Sequence, residues 1–256
     1  MQAKKRFGQN FLTDNKILED LANLINVAAN DKLLEIGPGK GDLTKILINL
    51  CESYFGIELD KDLLVFLKKK FPKNIKAFIG GDILNISPSE IYTSNEFRVI
   101  GNIPYNISSP ILDWCEKHYE KILDMHFMLQ KEFALRCAGN EKTSSYGRLS
   151  VICNYLYEVT ILKEVSKEFF NPEPKVDSLF VRFSPKKKKV NQKELHNLKK
   201  VTRALFNKKR KKISNSLEDI LHIESIKKLD LNLNLRPDEL SLSEYLQISA
   251  LVKDDG

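Results

Sequence analysis

The chain has 256 residues, 42% of them hydrophobic, which allows one large domain with a small appendage. Its 41 basic and 34 acidic residues give a formal charge of +7, and so modest an excess points to a partner only where it is concentrated. The chain starts MQAKKRFGQNFL, without the apolar core of a signal peptide, and no apolar run approaches a membrane span. We therefore expect a cytoplasmic protein with no membrane partner.

Cysteine and histidine show no metal-ligand spacing. The cysteines fall within apolar patterns and never form a C-x-x-C pair, which predicts buried thiols in a reducing compartment: Cys51, Cys115, Cys137 and Cys153. The four histidines are scattered along the chain, so we expect no metal.

Short apolar runs typical of strands alternate with helical patterns in the first part of the chain. The predicted strands are residues 32–37, 54–59, 75–82, 97–103 and 125–130. A helical pattern such as DKDLLVFLKKKF, residues 60–71, separates one from the next. This alternation predicts a doubly wound α/β domain with a mainly parallel sheet, closed by an antiparallel pair at 157–165 and 178–185.

From about residue 191 the pattern is helical throughout, which predicts two domains, residues 1–187 and 188–256. The second contains KKVTRALFNKKRKKIS, residues 199–214. With helical spacing, its basic side chains should form one face that contacts RNA phosphates without reading sequence: Lys199, Arg203, Lys208, Lys209, Arg210 and Lys211. For the shorter cluster Lys68–Lys70, on a predicted amphipathic helix, a merely solvated surface is an equally good interpretation.

A glycine-rich loop follows the first predicted strand, in LLEIGPGKGDLT. Gly37, Gly39 and Gly41 let the backbone turn tightly, so that a ligand can lie against it. A dinucleotide fingerprint would need G-x-G-x-x-G, but Asp42 follows Gly41 directly. The loop alone is a weak signal of a nucleoside site.

Two acidic residues end the next predicted strands. Glu58 can accept both ribose hydroxyls of a nucleoside, and Asp82 can accept from an adenine amino group. Either acid alone could be an ordinary turn or N-cap residue. Together with the glycine loop they indicate a nucleoside site without a pyrophosphate cradle, which suits S-adenosylmethionine with its methyl group facing the end of the fourth strand.

The fourth strand ends in VIGNIPYNIS. The side-chain oxygen of Asn102 and the carbonyl of Ile103 could accept both hydrogens of an adenine amino group and direct its lone pair at a methyl donor. Pro104 fixes the backbone there, and Tyr105 offers a ring on which the base can stack. The alternative is a simple turn with a surface tyrosine.

With these motifs in view, the sequence resembles the small-subunit ribosomal RNA adenine N6-dimethyltransferases over nearly its whole length. The matching blocks are KKRFGQNFL, EIGPGKG, GIELD, NIPYNISSPIL, YGRLSV, FFNPEPKVDSLFVRF and LFNKKRKKISNSL. The resemblance implies a Rossmann-like class I methyltransferase domain with a small all-α C-terminal domain. It also implies an enzyme that puts two methyl groups on each of two adjacent adenosines near the 3′ end of the small-subunit RNA during subunit assembly, leaving S-adenosylhomocysteine. The sequence does not determine the oligomeric state, for which we expect a monomer.

Family donor contacts carry over by resemblance to Asn10, Leu12, Gly37, Glu58, Asp82 and Asn102. The resemblance also makes Phe170 the aromatic that presses the base from the face opposite Tyr105. Three other readings stay open: an antibiotic-resistance methyltransferase of large-subunit RNA, a non-catalytic assembly or transcription factor on the same fold, and a nicotinamide oxidoreductase.

Overall fold

A computed structural model describes residues 4, 8–92, 96–186 and 190–252. The strands are β1 Phe11–Leu12, β2 Lys32–Ile36, β3 Ser53–Glu58, β4 Phe78–Gly80, β5 Phe97–Asn102, β6 Ile122–Gln130, β7 Tyr157–Val165, β8 Phe170–Asn171 and β9 Ser178–Pro185. The helices are α1 Asn15–Ile25, α2 Asp42–Leu47, α3 Lys61–Lys70, α4 Ser108–Lys117, α5 Lys131–Cys137, α6 Arg148–Leu156, α7 Gln192–Asn207, α8 Ser214–Leu217, α9 Ile223–Lys227 and α10 Leu242–Ala250.

Seven strands form one sheet in the order β4-β3-β2-β5-β6-β9-β7. The pairs from β4 to β6 are parallel, and β9 runs antiparallel to β6. The chain order reverses between β2 and β5, and the crevice beyond the carboxyl ends of the strands at such a point is where open α/β sheets bind ligands. The predicted α/β fold with a mainly parallel sheet is confirmed.

The predicted strand at 75–82 is shorter in the structure. A 3₁₀ segment, Pro72–Ala77, takes its first part and leaves only Phe78–Gly80 as β4. Proline explains the helical turn, because its fixed φ suits a helix start and it lacks an N–H to donate to a ladder. The last two predicted strands match β7 and β9, and β9 lies between β6 and β7 in the sheet.

Two compact units divide the chain. The first comprises residues up to Ala134 with Thr160–Pro185, and the second comprises Leu135–Val159 with the chain from Lys186 onward. The predicted domains, residues 1–187 and 188–256, place the segment 135–159 in the first domain, whereas this division places it in the second unit. That segment belongs with the C-terminal helices because the Tyr155 hydroxyl on α6 donates to Glu194 on α7, 2.5 Å away.

The first unit packs α1 and α2 against one face of the sheet. Asp14 caps α1 by accepting from the N–H of Ile17 at 2.8 Å, and α1 ends where Asn26 turns left-handed. The apolar side of α1 enters the core together with Leu33, Ile100 and Phe180 from the sheet. This packing leaves the carboxyl ends of β2, β3 and β5 for a site.

Among the described residues, no helix is long and apolar enough to cross a membrane. In the same part of the chain, no group of three or more His, Cys, Asp or Glu side chains could hold a metal ion. Three of the cysteines are buried as predicted, whereas Cys51 is half-buried.

Candidate active site

A cavity of about 290 Å³ opens at the carboxyl ends of β2, β3 and β5 in the first unit. Its wall includes seven of the eight residues predicted to contact the donor: Asn10, Leu12, Gly37, Gly39, Glu58, Asp82 and Asn102. It also includes four of the five residues predicted at the base, with Asn102 belonging to both sets: Asn102, Ile103, Pro104 and Tyr105. The structure therefore brings together residues from four separate sequence motifs.

The glycine loop connects β2 to α2 in left-handed backbone conformations. Gly39 has φ +62°, and a Cβ there would lie 3.0 Å from the Phe11 ring. Gly41 has φ +72° and does not line the cavity; a Cβ there would approach Leu67 and Phe71 to 2.8 Å. Gly41 thus lets the loop pack closely against Leu67 of α3, and its contact with the donor stays a prediction.

Glu58 ends β3 with only 5% of its surface exposed. One carboxylate oxygen accepts from the N–H of Gly39 at 3.0 Å and the other from the N–H of Asp60 at 2.9 Å. Burial raises the pKa of Glu58 above its ordinary value. Because each carboxylate oxygen can accept a second hydrogen bond, the group is held ready for two ligand hydroxyls.

Asp82 is an N-cap residue at the cavity wall, and its contact with an adenine amino group stays a prediction. Its side chain caps a 3₁₀ turn by accepting from the N–H of Leu84 at 3.0 Å, and the residue also lines the cavity. The capping bond fixes the side chain and leaves lone pairs for a ligand amino group.

The Asn102 amide has a defined orientation. Its Nδ2 donates to the carbonyl of Asn10 at 2.8 Å, and because a carbonyl can only accept, the amide oxygen must face elsewhere. The next peptide is anchored by the N–H of Ile103, which donates to Met128 at 3.2 Å. Within the described residues, no hydrogen bond uses the Ile103 carbonyl. That this carbonyl and the Asn102 amide oxygen accept from an adenine amino group stays a prediction.

Tyr105 lines the cavity as a half-buried side chain. Its hydroxyl is 3.2 Å from Oγ of Ser178, a fully buried residue at the start of β9, and burial raises the pKa of the tyrosine. Sequence analysis missed Ser178, although it lies in the block FFNPEPKVDSLFVRF. The contact joins residues 73 positions apart, which no local pattern shows.

Phe170 does not line the cavity. It is 4% exposed and belongs to the core, because β8 pairs antiparallel with β1 and places Phe170 opposite Leu12. In this position Phe170 packs in the core, and its stacking on a base opposite Tyr105 stays a prediction.

The N-terminal segment contributes Asn10, Phe11 and Leu12 to the cavity wall and is anchored at Asp60. Asp60 is 3% exposed and accepts from Lys4 Nζ at 2.7 Å and from Gln9 Nε2 at 3.2 Å. Burial alone would raise the pKa of Asp60, but these hydrogen bonds outweigh it and the pKa is lowered. Sequence analysis missed this anchor.

Glu35 is a second residue that sequence analysis missed. It lines the cavity from β2, is 4% exposed, and accepts from the hydroxyls of Thr44, at 2.7 Å, and Tyr54. Burial raises its pKa to about 7. Its carboxyl group joins β2 to α2 beneath the glycine loop.

The basic stretch does not form the predicted continuous helical face. Helix α7 ends at Asn207, so Lys199 and Arg203 are helical whereas residues 208–211 form a turn. Lys208 pairs with Asp219 at 3.1 Å, and Lys209 is 3.7 Å from Asp238. Arg210 and Lys211 are exposed, and no ion pair joins either of them to another described residue.

This chain is similar to known proteins in both its fold and its sequence. The fold is that of a class I methyltransferase. Two solved structures share the fold: a dimethyladenosine transferase from Plasmodium falciparum (TM-score 0.74, 24% identity, 93% of this chain and 95% of that one) and the 23S rRNA methyltransferase ErmE (TM-score 0.72, 24% identity, 95% and 99%).

The model of the family described as ribosomal RNA adenine dimethylase matches residues 1–254. Proteins named ribosomal RNA small subunit methyltransferase A are also similar. The one from Coxiella burnetii is 38% identical over 98% of both chains, and the one from Saccharophagus degradans is 41% identical over 97% of this chain and 94% of its own. The chain belongs to the ribosomal RNA adenine dimethylase family.

Proposed function

We propose that this protein transfers methyl groups from S-adenosylmethionine to the amino groups of two adjacent adenosines near the 3′ end of the small-subunit ribosomal RNA. The observation that carries the proposal is the pair of acceptors at the end of β5. The Asn102 Nδ2 is taken up by its bond to Asn10, which leaves the amide oxygen to accept, and Ile103 also lines the cavity. Two acceptors match the two hydrogens of an adenine amino group.

The cavity fits the donor by the chemistry of its wall. Glu58, already held by two backbone N–H groups, suits a ribose, and Asp82 suits an adenine amino group. The glycine loop and the Asn10–Leu12 segment would hold the remainder. When bound, S-adenosylmethionine supplies an activated methyl group.

The chain's own residues would act by positioning the base. Asn102 and Ile103 would hold the amino hydrogens and turn the nitrogen lone pair toward the donor side of the cavity. Pro104 fixes that carbonyl, and the Tyr105 ring would stack on the extruded base. No general base is required, because the methylated nitrogen is acidic enough to lose its proton to water.

The second unit would hold the RNA. We infer that Arg203, Arg210 and Lys211, all exposed, contact phosphates, with Lys199, Lys208 and Lys209 contributing less. The partner would be ribosomal RNA within the assembling small subunit in the cytoplasm, and the protein would act there as a monomer.

The test is methyl transfer from labelled donor to purified undermethylated subunits, followed by primer extension. Dimethylated adenines cannot pair, so reverse transcriptase should stop at two adjacent positions near the 3′ end of the small-subunit RNA. Label that enters only the large subunit would favour the antibiotic-resistance activity. No label in either subunit would favour an assembly factor without catalysis.

A further inference from the structure

Helix α3 and the 3₁₀ segment that follows it, residues 61–76, carry an unusual concentration of one charge. The segment contains a single acidic residue, Asp62, and six lysines: Lys61, Lys68, Lys69, Lys70, Lys73 and Lys76. Asp62 is already paired with Lys4, whose Nζ is 2.6 Å away. The one acid therefore does not offset the charge of the lysines around it.

Five of these six lysines form no ion pair with any acidic residue that the structure describes. Lys70 pairs with Asp42 at 3.1 Å and also donates to the glycine-loop carbonyl of Lys40 at 2.7 Å. In the part of the chain that the structure describes, no ion pair involves the others, which are exposed except for half-buried Lys68: Lys61, Lys68, Lys69, Lys73 and Lys76. An uncompensated set of this size favours a polyanion.

Exposed apolar side chains alternate with these lysines along the segment. Leu63 and Leu67 turn the opposite side of α3 into the core, while Val65 is 54% and Phe66 38% exposed. In the 3₁₀ segment Ile75 is 47% exposed. The Nζ of Lys70 lies 5.9 Å from the centroid of the Phe66 ring, so the ring and a positive charge are next to each other. Exposed rings beside positive charges are the pattern that binds single-stranded nucleic acid, with bases stacked on the rings.

We propose that this face of residues 61–76 binds an unpaired segment of ribosomal RNA, with its lysines on phosphates and a base stacked on Phe66. The inference rests on the proposed function for the identity of the RNA. Charge complementarity favours RNA over a membrane surface, because lysines interrupt the three apolar side chains, whereas an interfacial helix needs a continuous apolar face.

The first test removes four of the positive charges in one variant that combines Lys68→Gln, Lys69→Gln, Lys73→Gln and Lys76→Gln. A matched control changes four exposed lysines elsewhere: Lys16→Gln, Lys117→Gln, Lys227→Gln and Lys228→Gln. Binding of a fluorescent 12-nucleotide single-stranded RNA is measured from 50 to 300 mM KCl. Each lost phosphate contact lowers the slope of log affinity against log salt by about 0.7. We expect the slope to fall by about 2 to 3 and the low-salt affinity by at least about tenfold, with the control near wild type and donor binding unchanged.

The second test isolates Phe66. Phe66→Ala should weaken single-stranded RNA binding about tenfold without changing the salt slope, whereas Phe66→Tyr, which keeps the ring, should bind like the wild type. A four-lysine variant whose slope equals that of the control would overturn the inference. So would a variant that loses binding to anionic phospholipid vesicles but not to RNA. If the four-lysine variant loses RNA binding as expected but the wild-type protein methylates neither subunit, the proposed function would be overturned and the inference about this face would remain supported.

Discussion

The donor cavity of the first unit and the basic turn of the second hold their charges in opposite ways. In the cavity wall, Glu35 and Glu58 are 4% and 5% exposed, and each accepts two hydrogen bonds from the protein. In the basic turn, Arg210 and Lys211 are exposed without an ion pair to any described residue. Buried polar groups act in a low dielectric, where one missing partner is costly, whereas exposed charges act in sum and are screened by salt. Single substitutions in the cavity should therefore have large effects on activity, donor binding or stability. The contribution of the basic turn should instead appear in the salt dependence of RNA affinity.

The largest effect should come from Asn102→Ala, which removes one of the two predicted acceptors. By analogy with losing one preorganised hydrogen-bonding group at a reacting centre, we expect the single-turnover rate at saturating donor to fall about 10²–10³-fold, or roughly 2.7–4 kcal/mol. RNA affinity should barely change, because phosphate contacts dominate it. Asn106→Ala, an exposed asparagine that also lines the cavity, is the control. A near-normal rate for Asn102→Ala would contradict the proposed role.

Glu35 should make stability depend on pH. Burial raises its pKa from 4.5 to about 7, so between those values the folded protein binds more protons than the unfolded chain. Stability then falls as pH rises through this window, by up to about 3 kcal/mol at roughly 1.4 kcal/mol per pH unit. Glu35→Gln keeps an oxygen for Thr44 and Tyr54 but does not titrate.

Urea unfolding at pH 5 and pH 8 tests this expectation. The free energy of unfolding of Glu35→Gln, relative to wild type, should increase from the lower to the higher pH. Parallel curves for the two proteins would show that Glu35 is ionised in the folded state across the whole range.

Glu58→Ala should weaken donor binding by about 1.5–3 kcal/mol, the range for a hydrogen bond to a charged group. Glu58→Gln, which keeps one acceptor oxygen, should lose less. Calorimetry with S-adenosylmethionine measures both. If Glu58→Ala binds the donor with unchanged affinity, the carboxylate has only a structural role, through its bonds to the Gly39 and Asp60 N–H groups.

The sequence was sufficient to predict the parts of this site that depend on local hydrophobic patterns and on motifs at strand ends. Strands β2, β3 and β5 were predicted to within a residue or so, and their ends carry the glycine loop, Glu58 and Asn102. Hydrophobic periodicity and the order of the strands are enough to predict that these residues meet, since parallel strands bring their carboxyl ends to one edge of the sheet. The 3₁₀ segment before β4 was missed because the apolar spacing of 75–82 reads equally well as a strand.

Contacts between distant residues could not be predicted in the same way. Lys4 meets Asp60 across 56 positions, and Tyr105 meets Ser178 across 73. Phe170 sits in the core because of its pairing with β1, which depends on where the N-terminal segment lies. Likewise, the basic stretch retains good helical spacing beyond Asn207, but the ion pairs of Lys208 and Lys209 are made in a turn.

Neutralising all of Lys208, Lys209, Arg210 and Lys211 should reduce RNA affinity and flatten its salt dependence, and two pair variants sharpen this prediction. Arg210→Gln with Lys211→Gln should lower the salt slope by about 1.5, at roughly 0.7–0.9 per phosphate. Lys208→Gln with Lys209→Gln should lower it less, because Asp219 and Asp238 already offset those charges. Binding to undermethylated subunits across a salt series provides the slopes. Equal slopes for the wild type and both pairs would mean that the turn is only solvated.

The smallest effect should come from the hydroxyl that ties Tyr105 to Ser178. Tyr105→Ala removes a stacking surface worth about 1–3 kcal/mol per base, whereas Tyr105→Phe keeps the ring and its stacking surface. A neutral hydrogen bond contributes about 0.5–1.5 kcal/mol, so Tyr105→Phe should lower the single-turnover rate only about 2- to 12-fold. If the bond to Ser178, 3.2 Å away, is what orients the ring, Ser178→Ala should have a similar effect. The double variant should then be no worse than either single one, because both remove the same contact. Additive losses would show that the two side chains act independently and that the ring is oriented by the Pro104 backbone alone.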